Sequence, residues 1–208
     1  MNTLLTSNKM FSSNITQLTN FSQVSSIINL DTPKIYVACL SAYNSGYLRS
    51  VYIDATLEPE EIREEIQTML SNSPVAHLEI CEEFAIHDFE GFEGVKIHEY
   101  ESIDRVCQIA KAIDEHGKPF ALYLDYLGFD DLEEAIASFE DNYCGCFDSI
   151  EDYVQDYYEQ TGQLEAIENA GLNSFCINWK AIAHDWDCSG DFLFLEESAD
   201  EIHVFNRH

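Results

Sequence analysis

The clearest pattern of metal-binding residue types lies at residues 185–196, where the sequence DWDCSGDFLFLE has the spacing of an EF-hand calcium loop. Such a loop places oxygen ligands at positions 1, 3, 5 and 12 and a glycine at position 6. Gly190 occupies the glycine position. The candidate calcium ligands are Asp185, Asp187, Ser189, Asp191 and Glu196. Because Phe192 and Phe194 predict a strand where an EF-hand needs its exiting helix, a plain helix-to-strand turn is the competing interpretation.

Other residue types that carry catalysis are present without a catalytic arrangement. Cys144 and Cys146 are separated by a single glycine, which is too close for a zinc-binding pair. The seven histidines are scattered, and the sequence has no phosphate-binding loop, dinucleotide fingerprint or nucleophile elbow. A cysteine–histidine catalytic pair stays open at this point. We expect a protein that is not an enzyme and that uses no cofactor.

Negative charge dominates the composition. The 208 residues include 39 Asp and Glu against 10 Lys and Arg, so the net charge is −29. Binding to nucleic acid or to an anionic membrane needs clustered Lys and Arg, so direct binding to either is excluded and a basic partner is expected. Hydrophobic residues make up 46% of the chain, which is enough for a packed core.

The acids are concentrated in one segment. Between Lys118 and Lys180 there are 14 acidic residues and no Lys or Arg. Acids three or four apart on a helix destabilise it by a few tenths of a kcal/mol per pair, so a purely structural surface would interleave Lys. The predicted partner-binding acids are Asp125, Asp130, Asp131, Glu133, Glu134, Glu140, Asp141, Asp148, Glu151, Asp152, Asp156 and Glu159.

Three interpretations of this acidic segment are open from the residues alone. It is a solvated face, or it binds basic proteins as an acidic chaperone, or it imitates the backbone of a nucleic acid. Duplex DNA carries one charge per ~1.7 Å, so a net charge of −29 equals that of about 49 Å of duplex. The amount of charge is therefore sufficient for mimicry.

The apolar patterns predict an α+β fold, and the length allows one large domain or two to three small ones. Residues 33–93 are predicted to form an N-terminal α/β domain, with a two-stranded hairpin, a helix that begins at Pro59 and a third strand at residues 83–89.

Residues 94–142 are predicted to form a central helical domain, because apolar residues recur at helical spacing there. One helix is predicted from Ser102 to His116 and ended by Gly117, and a second from Pro119 and ended by Gly128.

Residues 143–208 are predicted to form a C-terminal α+β domain. Ser149 and Asp152 have the spacing of a helix cap, and a further helix is predicted over residues 173–186. Two apolar runs flanking the turn residues ESAD predict a closing β-hairpin.

Residues 1–32 differ in composition from the remainder. No acid precedes Asp31, and half of the first 30 residues are Ser, Thr or Asn, which predicts a flexible leader. The sequence has no apolar run of membrane-spanning length and no secretory signal pattern. Seven cysteines without a regular spacing suit a reducing compartment, so a cytoplasmic location is expected.

Four separated segments resemble, in the same order, the ArdA family of antirestriction proteins. They are YVACLSAYNSGYLRSVYIDAT at 36–56, FAIHDFEGF at 84–92, residues 124–162 with FDSIEDY and EQTG, and the stretch from SGD to HVFN at 189–206. None of these segments is a catalytic motif. In this family residues 185–196 correspond to a shared helix-to-strand turn.

The resemblance implies a DNA mimic of three small domains in line, which forms an elongated, acidic homodimer through its C-terminal domain, residues 143–208. Such dimers occupy the DNA groove of type I restriction-modification enzymes, contact the specificity and methyltransferase subunits, and block restriction and modification. The family's antirestriction and dimer segment corresponds here to a region containing Leu172, Asn178, Trp179, His184 and Asp185. Asn178, Trp179, Lys180 and His184 stand where the family pattern has Asp, Tyr, Glu and Arg.

Overall fold

A computed structural model of the chain describes residues 32–78 and 80–207. The predicted leader, residues 1–32, lies outside the described residues except for its last position. The described residues form eight α-helices and six strands in two antiparallel sheets, which confirms the predicted α+β class. The division into three domains in line and the elongated shape stay predictions.

The elements alternate along the chain. The strands are β1 (Lys34–Cys39), β2 (Ser50–Asp54), β3 (Phe84–Glu90), β4 (Tyr143–Phe147), β5 (Phe192–Ser198) and β6 (Glu201–Asn206). The helices are α1 (Leu40–Asn44), α2 (Pro59–Ser71), α3 (Ile103–His116), α4 (Lys118–Leu127), α5 (Leu132–Asn142), α6 (Ile150–Gln160), α7 (Gln163–Asn169) and α8 (Trp179–Ser189). Short 3₁₀ turns precede α5, at Phe129–Asp131, and α8, at Ser174–Cys176.

The first sheet has the strand order β2-β1-β3, with β1 antiparallel to both neighbours. Ile35, Val37 and Cys39 alternate along β1 and are fully buried, as expected for a strand with one face on the core. The predicted hairpin of β1 and β2 is confirmed, although the short helix α1 occupies part of the predicted turn. Helix α2 begins at Pro59 as predicted, because Pro at the first turn loses no helical hydrogen bond.

Helices α3 and α4 follow the predicted boundaries. The Ser102 side chain accepts a hydrogen bond from the Arg105 backbone N–H and caps the start of α3. Gly117, with φ 67°, separates α3 from α4, and Gly128, with φ 104°, follows α4. These positive φ angles favour glycine, which explains why both helices end there.

The second sheet has the order β4-β6-β5, so the last strand is the central one. The predicted closing hairpin is β5 and β6, and it is confirmed. Strand β4 and helix α7 are additional elements that the sequence patterns did not predict. The helix predicted over residues 173–186 begins later, at Trp179, because the Asn178 side chain caps it by accepting from the Ala181 N–H.

One continuous cluster of buried side chains links the two sheets through the helices. It extends from Ile35 in β1 through α2, α3, α4 and α5 to Leu193 and Phe205 in the second sheet. Tyr123 stacks on Phe205, with ring centroids 4.6 Å apart and planes at 13°. Within residues 32–78 and 80–207, none of the helices has both the length and the apolar character that crossing a membrane requires.

The Phe205→Ala substitution tests this connection between the central helices and the second sheet. Phe205 is fully buried, and its ring also lies 5.7 Å from that of Phe139. We expect the free energy of unfolding to fall by about 3–5 kcal/mol, because the transfer free energy is lost and a cavity remains. Urea unfolding followed by circular dichroism measures the change.

The control is Leu48→Ala, because Leu48 is 86% exposed and lies outside the dimer segment. This control should change stability by less than about 0.5 kcal/mol. A similar loss for both variants would contradict the assignment of Phe205 to the core.

Candidate functional site

The twelve predicted partner-binding acids lie along one stretch of helices and turns. Asp125 lies in α4, Asp130 and Asp131 in the 3₁₀ turn before α5, and Asp148 in the connection from β4 to α6. The others lie in α5 and α6. We call this set the acidic segment. Ten of its members are exposed, and the remaining two, Glu151 and Asp156, are half-buried.

Burial of the opposite helix faces directs these acids outwards. Helix α5 buries Leu132, Ala135 and Phe139, and helix α6 buries Tyr153 and Val154. Because side chains three or four apart share a helix face, the acids between these apolar positions lie on the solvent side. The apolar spacing therefore positions the charge.

Some of the acids also stabilise the helices that carry them. Glu133 and Glu134 lie in the first turn of α5, and Glu151 and Asp152 lie in the first turn of α6. Negative charge at a helix N-terminus is favourable because of the helix dipole. The Ser149 side chain accepts from the Asp152 backbone N–H and also hydrogen-bonds its carboxylate, which confirms the predicted cap.

Three other acids of the segment do not stabilise the helices that carry them. Glu140 and Asp141 lie in the last turn of α5, and Glu159 lies in the last turn of α6, where the dipole disfavours negative charge. Neither last turn contains a basic residue. These acids lower helix stability, so their presence indicates a use outside folding.

The basic residues of the described chain are used elsewhere. Among residues 32–78 and 80–207, the Lys and Arg ion pairs join Arg63 to Glu60 and Asp104, Arg105 to Glu101, and Lys111 to Glu58. None of these ion pairs, all formed before residue 118, includes a member of the acidic segment. No Lys or Arg within the described chain therefore forms an ion pair with these carboxylates.

The predicted dimer segment presents both apolar and polar side chains. Leu172 is 64% exposed, and Phe175, which the sequence analysis did not single out, is 91% exposed. Trp179 packs edge-on against Tyr158 of α6, with centroids 5.4 Å apart. His184 and Asp185 are exposed on α8, where Ala183 is the one buried residue. The segment therefore offers exposed apolar side chains immediately before α8 and exposed polar side chains on the outer face of α8.

The EF-hand interpretation does not agree with the structure. Helix α8 continues through Asp185, Asp187 and Ser189, and Glu196 lies in strand β5, so no calcium loop forms. Among the described residues, no three of Asp185, Asp187, Asp191 and Glu196 bring their carboxylate oxygens within 4.8 Å of one another. Gly190, with φ 80°, ends the helix and leads into β5, which is the competing helix-to-strand turn.

A buried polar group that the sequence analysis missed joins the strands of the second sheet. His203 is 4% exposed; its Nδ1 lies 3.0 Å from the Tyr143 hydroxyl and its Nε2 lies 2.8 Å from Glu197 Oε2. Burial, together with the nearby Cys146 and Glu197, raises the pKa of Tyr143. The two ring nitrogens of His203 each have a hydrogen-bond partner, the Tyr143 hydroxyl and the Glu197 carboxylate. The unbroken apolar surroundings of His203 in EIHVFN were the available signal for a buried histidine.

The position of an acid within α5 should determine its effect on stability. We compare Glu133→Gln in the first turn with Asp141→Asn in the last turn. Both variants remove one charge from an exposed site, so the relief of overall repulsion is similar. We expect Asp141→Asn to be the more stable by about 1 kcal/mol, because only Glu133 interacts favourably with the helix dipole.

Urea unfolding at low ionic strength measures this difference, and added salt should reduce it. Equal stability of the two variants at low salt would show that position along the helix has no effect.

Comparison with known proteins gives one family. The sequence model of the antirestriction protein (ArdA) family matches residues 35–201. A search of curated proteins finds no match.

Proposed function

Because the chain belongs to the ArdA family of antirestriction proteins, we propose that it inhibits type I restriction-modification enzymes by occupying their DNA-binding groove in place of DNA. The observation that carries this proposal is the acidic segment, whose members are mostly exposed and form no ion pair with Lys or Arg within the described chain. The function needs binding alone and no catalytic residue.

The charge distribution supports mimicry in preference to a solvated surface. Three Lys and Arg side chains form ion pairs in the N-terminal part, whereas residues 119–179 contain 14 acids and no Lys or Arg. A DNA-binding groove is lined with basic side chains that compensate phosphates. Carboxylates on α5 and α6 would form ion pairs with these basic side chains, as the DNA phosphates do.

The partners on this proposal are the specificity and methyltransferase subunits, because these subunits hold the DNA. One protein seated in their groove would prevent both restriction and modification. Association should be fast and electrostatically steered, since potentials of opposite sign face each other.

We also propose that two copies associate through the dimer segment. Exposed Leu172 and Phe175 lie beside α8, so association would remove apolar surface from water. Trp179, Asn178, His184 and Asp185 would border this contact. A symmetric pair would double the length of acidic surface presented to the enzyme.

The principal test neutralises one cluster of acids. In the fourfold variant Asp130→Asn, Asp131→Asn, Glu133→Gln, Glu134→Gln, we expect the concentration for half-inhibition of DNA cleavage by a type I enzyme to rise at least about tenfold, because charged contacts with the groove are lost. The measurement is a cleavage assay with the purified protein, accompanied by a methylation assay.

The matched control removes four exposed acids outside the acidic segment, through Glu64→Gln, Glu65→Gln, Glu82→Gln and Glu83→Gln. Both variants have the same net charge, so general charge effects cancel. If the control loses as much inhibition as the first variant, the acidic segment is not the binding surface.

Salt dependence provides a second test of the mechanism. We expect the affinity for the enzyme to fall by at least about tenfold between 50 and 200 mM salt, because the binding of basic groove residues to a polyanion depends on ion release. Direct binding by calorimetry is the measurement, since the activity of the enzyme itself varies with salt. An affinity that does not change over this range would contradict charge mimicry.

A further inference from the structure

Three potential metal ligands that the sequence analysis did not connect lie together at the ends of two helices. Glu115 and His116 are the last two residues of α3, and Glu140 lies in the last turn of α5. One ligand atom from each of these residues lies within 4.8 Å of the other two. We call this group the Glu-His-Glu cluster. It combines one imidazole nitrogen with two carboxylates, which is a mixed donor set and not only a group of acids.

Packing holds the imidazole in place. The His116 ring lies against Phe139, with centroids 4.5 Å apart and planes at 35°, and also 6.1 Å from the ring of Phe120. Phe139 and Phe120 are 3% and 0% exposed, so they form a fixed support. His116 itself is half-buried, with both glutamates exposed beside it. The cluster therefore has a fixed nitrogen donor and two mobile oxygen donors at the surface.

The local electrostatics favour a cation at this point. The ion pairs of the described chain include neither Glu115 nor Glu140, so no Lys or Arg offsets the two carboxylates. Helices α3 and α5 both end beside the cluster, at His116 and Asn142. The C-terminus of a helix carries about half a negative charge, so both helix ends add to the attraction.

We propose that the Glu-His-Glu cluster binds a divalent transition-metal cation of the zinc type. Imidazole with carboxylate ligands suits Zn²⁺, whereas Ca²⁺ and Mg²⁺ prefer oxygen ligands alone. Donor atoms around a tetrahedral zinc lie ~3.3 Å apart, given bonds of ~2.0–2.1 Å, so the donor atoms of the cluster, which lie within 4.8 Å of one another, would move closer together on binding. Three protein ligands leave the fourth position to water or to a group of a partner.

Such an ion would connect α3 to α5 and neutralise part of the charge of the acidic segment at the end of α5. It provides a reason for a glutamate in the last turn of α5, where the helix dipole disfavours one. This inference does not depend on antirestriction activity, because it concerns the isolated chain.

The experiment is calorimetric titration of Zn²⁺ into the metal-free full chain. We expect one site whose affinity falls at least about tenfold in each of His116→Phe, Glu115→Gln and Glu140→Gln, as ligand removal requires. His116→Phe retains an aromatic ring against Phe139, and circular dichroism checks the fold of each variant. If His116→Phe fails to fold, the two glutamine variants decide the result.

The controls are Asp114→Asn and Asp141→Asn, which remove the same charge from the adjacent exposed residues. Their affinity should stay within about threefold of the unsubstituted chain. An equal loss of Zn²⁺ affinity in these controls would show that the overall negative charge attracts the ion, and this result would overturn the proposal. Unchanged binding in the three cluster variants would overturn it as well.

The free cysteines require a separate readout, because thiolates also bind zinc. Titration with Co²⁺ distinguishes binding by cysteine from binding by the Glu-His-Glu cluster. Sulfur ligands produce an intense near-ultraviolet charge-transfer band, and nitrogen and oxygen ligands do not. We expect visible bands alone, and these bands should be lost in His116→Phe. A charge-transfer band that persists in that variant would assign the metal to cysteine.

Discussion

The contacts of Phe139 hold together the half of the molecule that carries the acidic segment. Its ring lies 4.5–5.9 Å from those of His116, Phe120, Tyr123, Tyr143 and Phe205. These five residues come from α3, α4, β4 and β6, so one side chain of α5 joins elements that are distant in sequence. A helix with repelling carboxylates on its outer face is kept in place by this inner contact, because burial of large aromatic rings outweighs repulsion between exposed charges.

The arrangement separates the chain into a part that compensates its charges and a part that does not. Exposed ion pairs contribute at most about 1 kcal/mol each, so the pairs of Arg63 and Lys111 matter more for surface charge than for stability. The pair of Arg105 with Glu101 is half-buried. These ion pairs reduce the negative potential around α2 and α3. Among the described residues, no Lys or Arg ion pair lies on α5 or α6, and on the proposed function a basic partner would bind there.

Local signals in the sequence predicted much of the fold. Pro59, Ser102 and Ser149 mark helix starts, and Gly117 and Gly128 mark helix ends, because each of these effects depends on neighbouring backbone alone. The outward direction of the acids followed from the same helical periodicity. The ion-pair partners of the Lys and Arg side chains could not be predicted from local signals. The pairs of Arg63 with Asp104 and of Lys111 with Glu58 join residues more than 40 positions apart.

Strand β4 was missed for a related reason. Tyr143–Phe147 is short and has Gly145 at its centre, with φ 130°, where the register with β6 shifts. Its strand character comes from pairing with residues about 60 positions later. The EF-hand interpretation failed in the opposite way: the spacing of residues 185–196 was correct, but spacing alone does not break a helix that packs against α6.

The central position of β6 has a consequence for the order of folding during synthesis. Tyr143 pairs with Phe205, so β4 leaves the ribosome well before its partner strand exists. At 5–20 residues per second, this delay is roughly 3–12 s. During that time α5 and α6 lack the sheet on which they rest. Translation that stops before β6 would yield a chain with every carboxylate of the acidic segment and without the scaffold that arranges them.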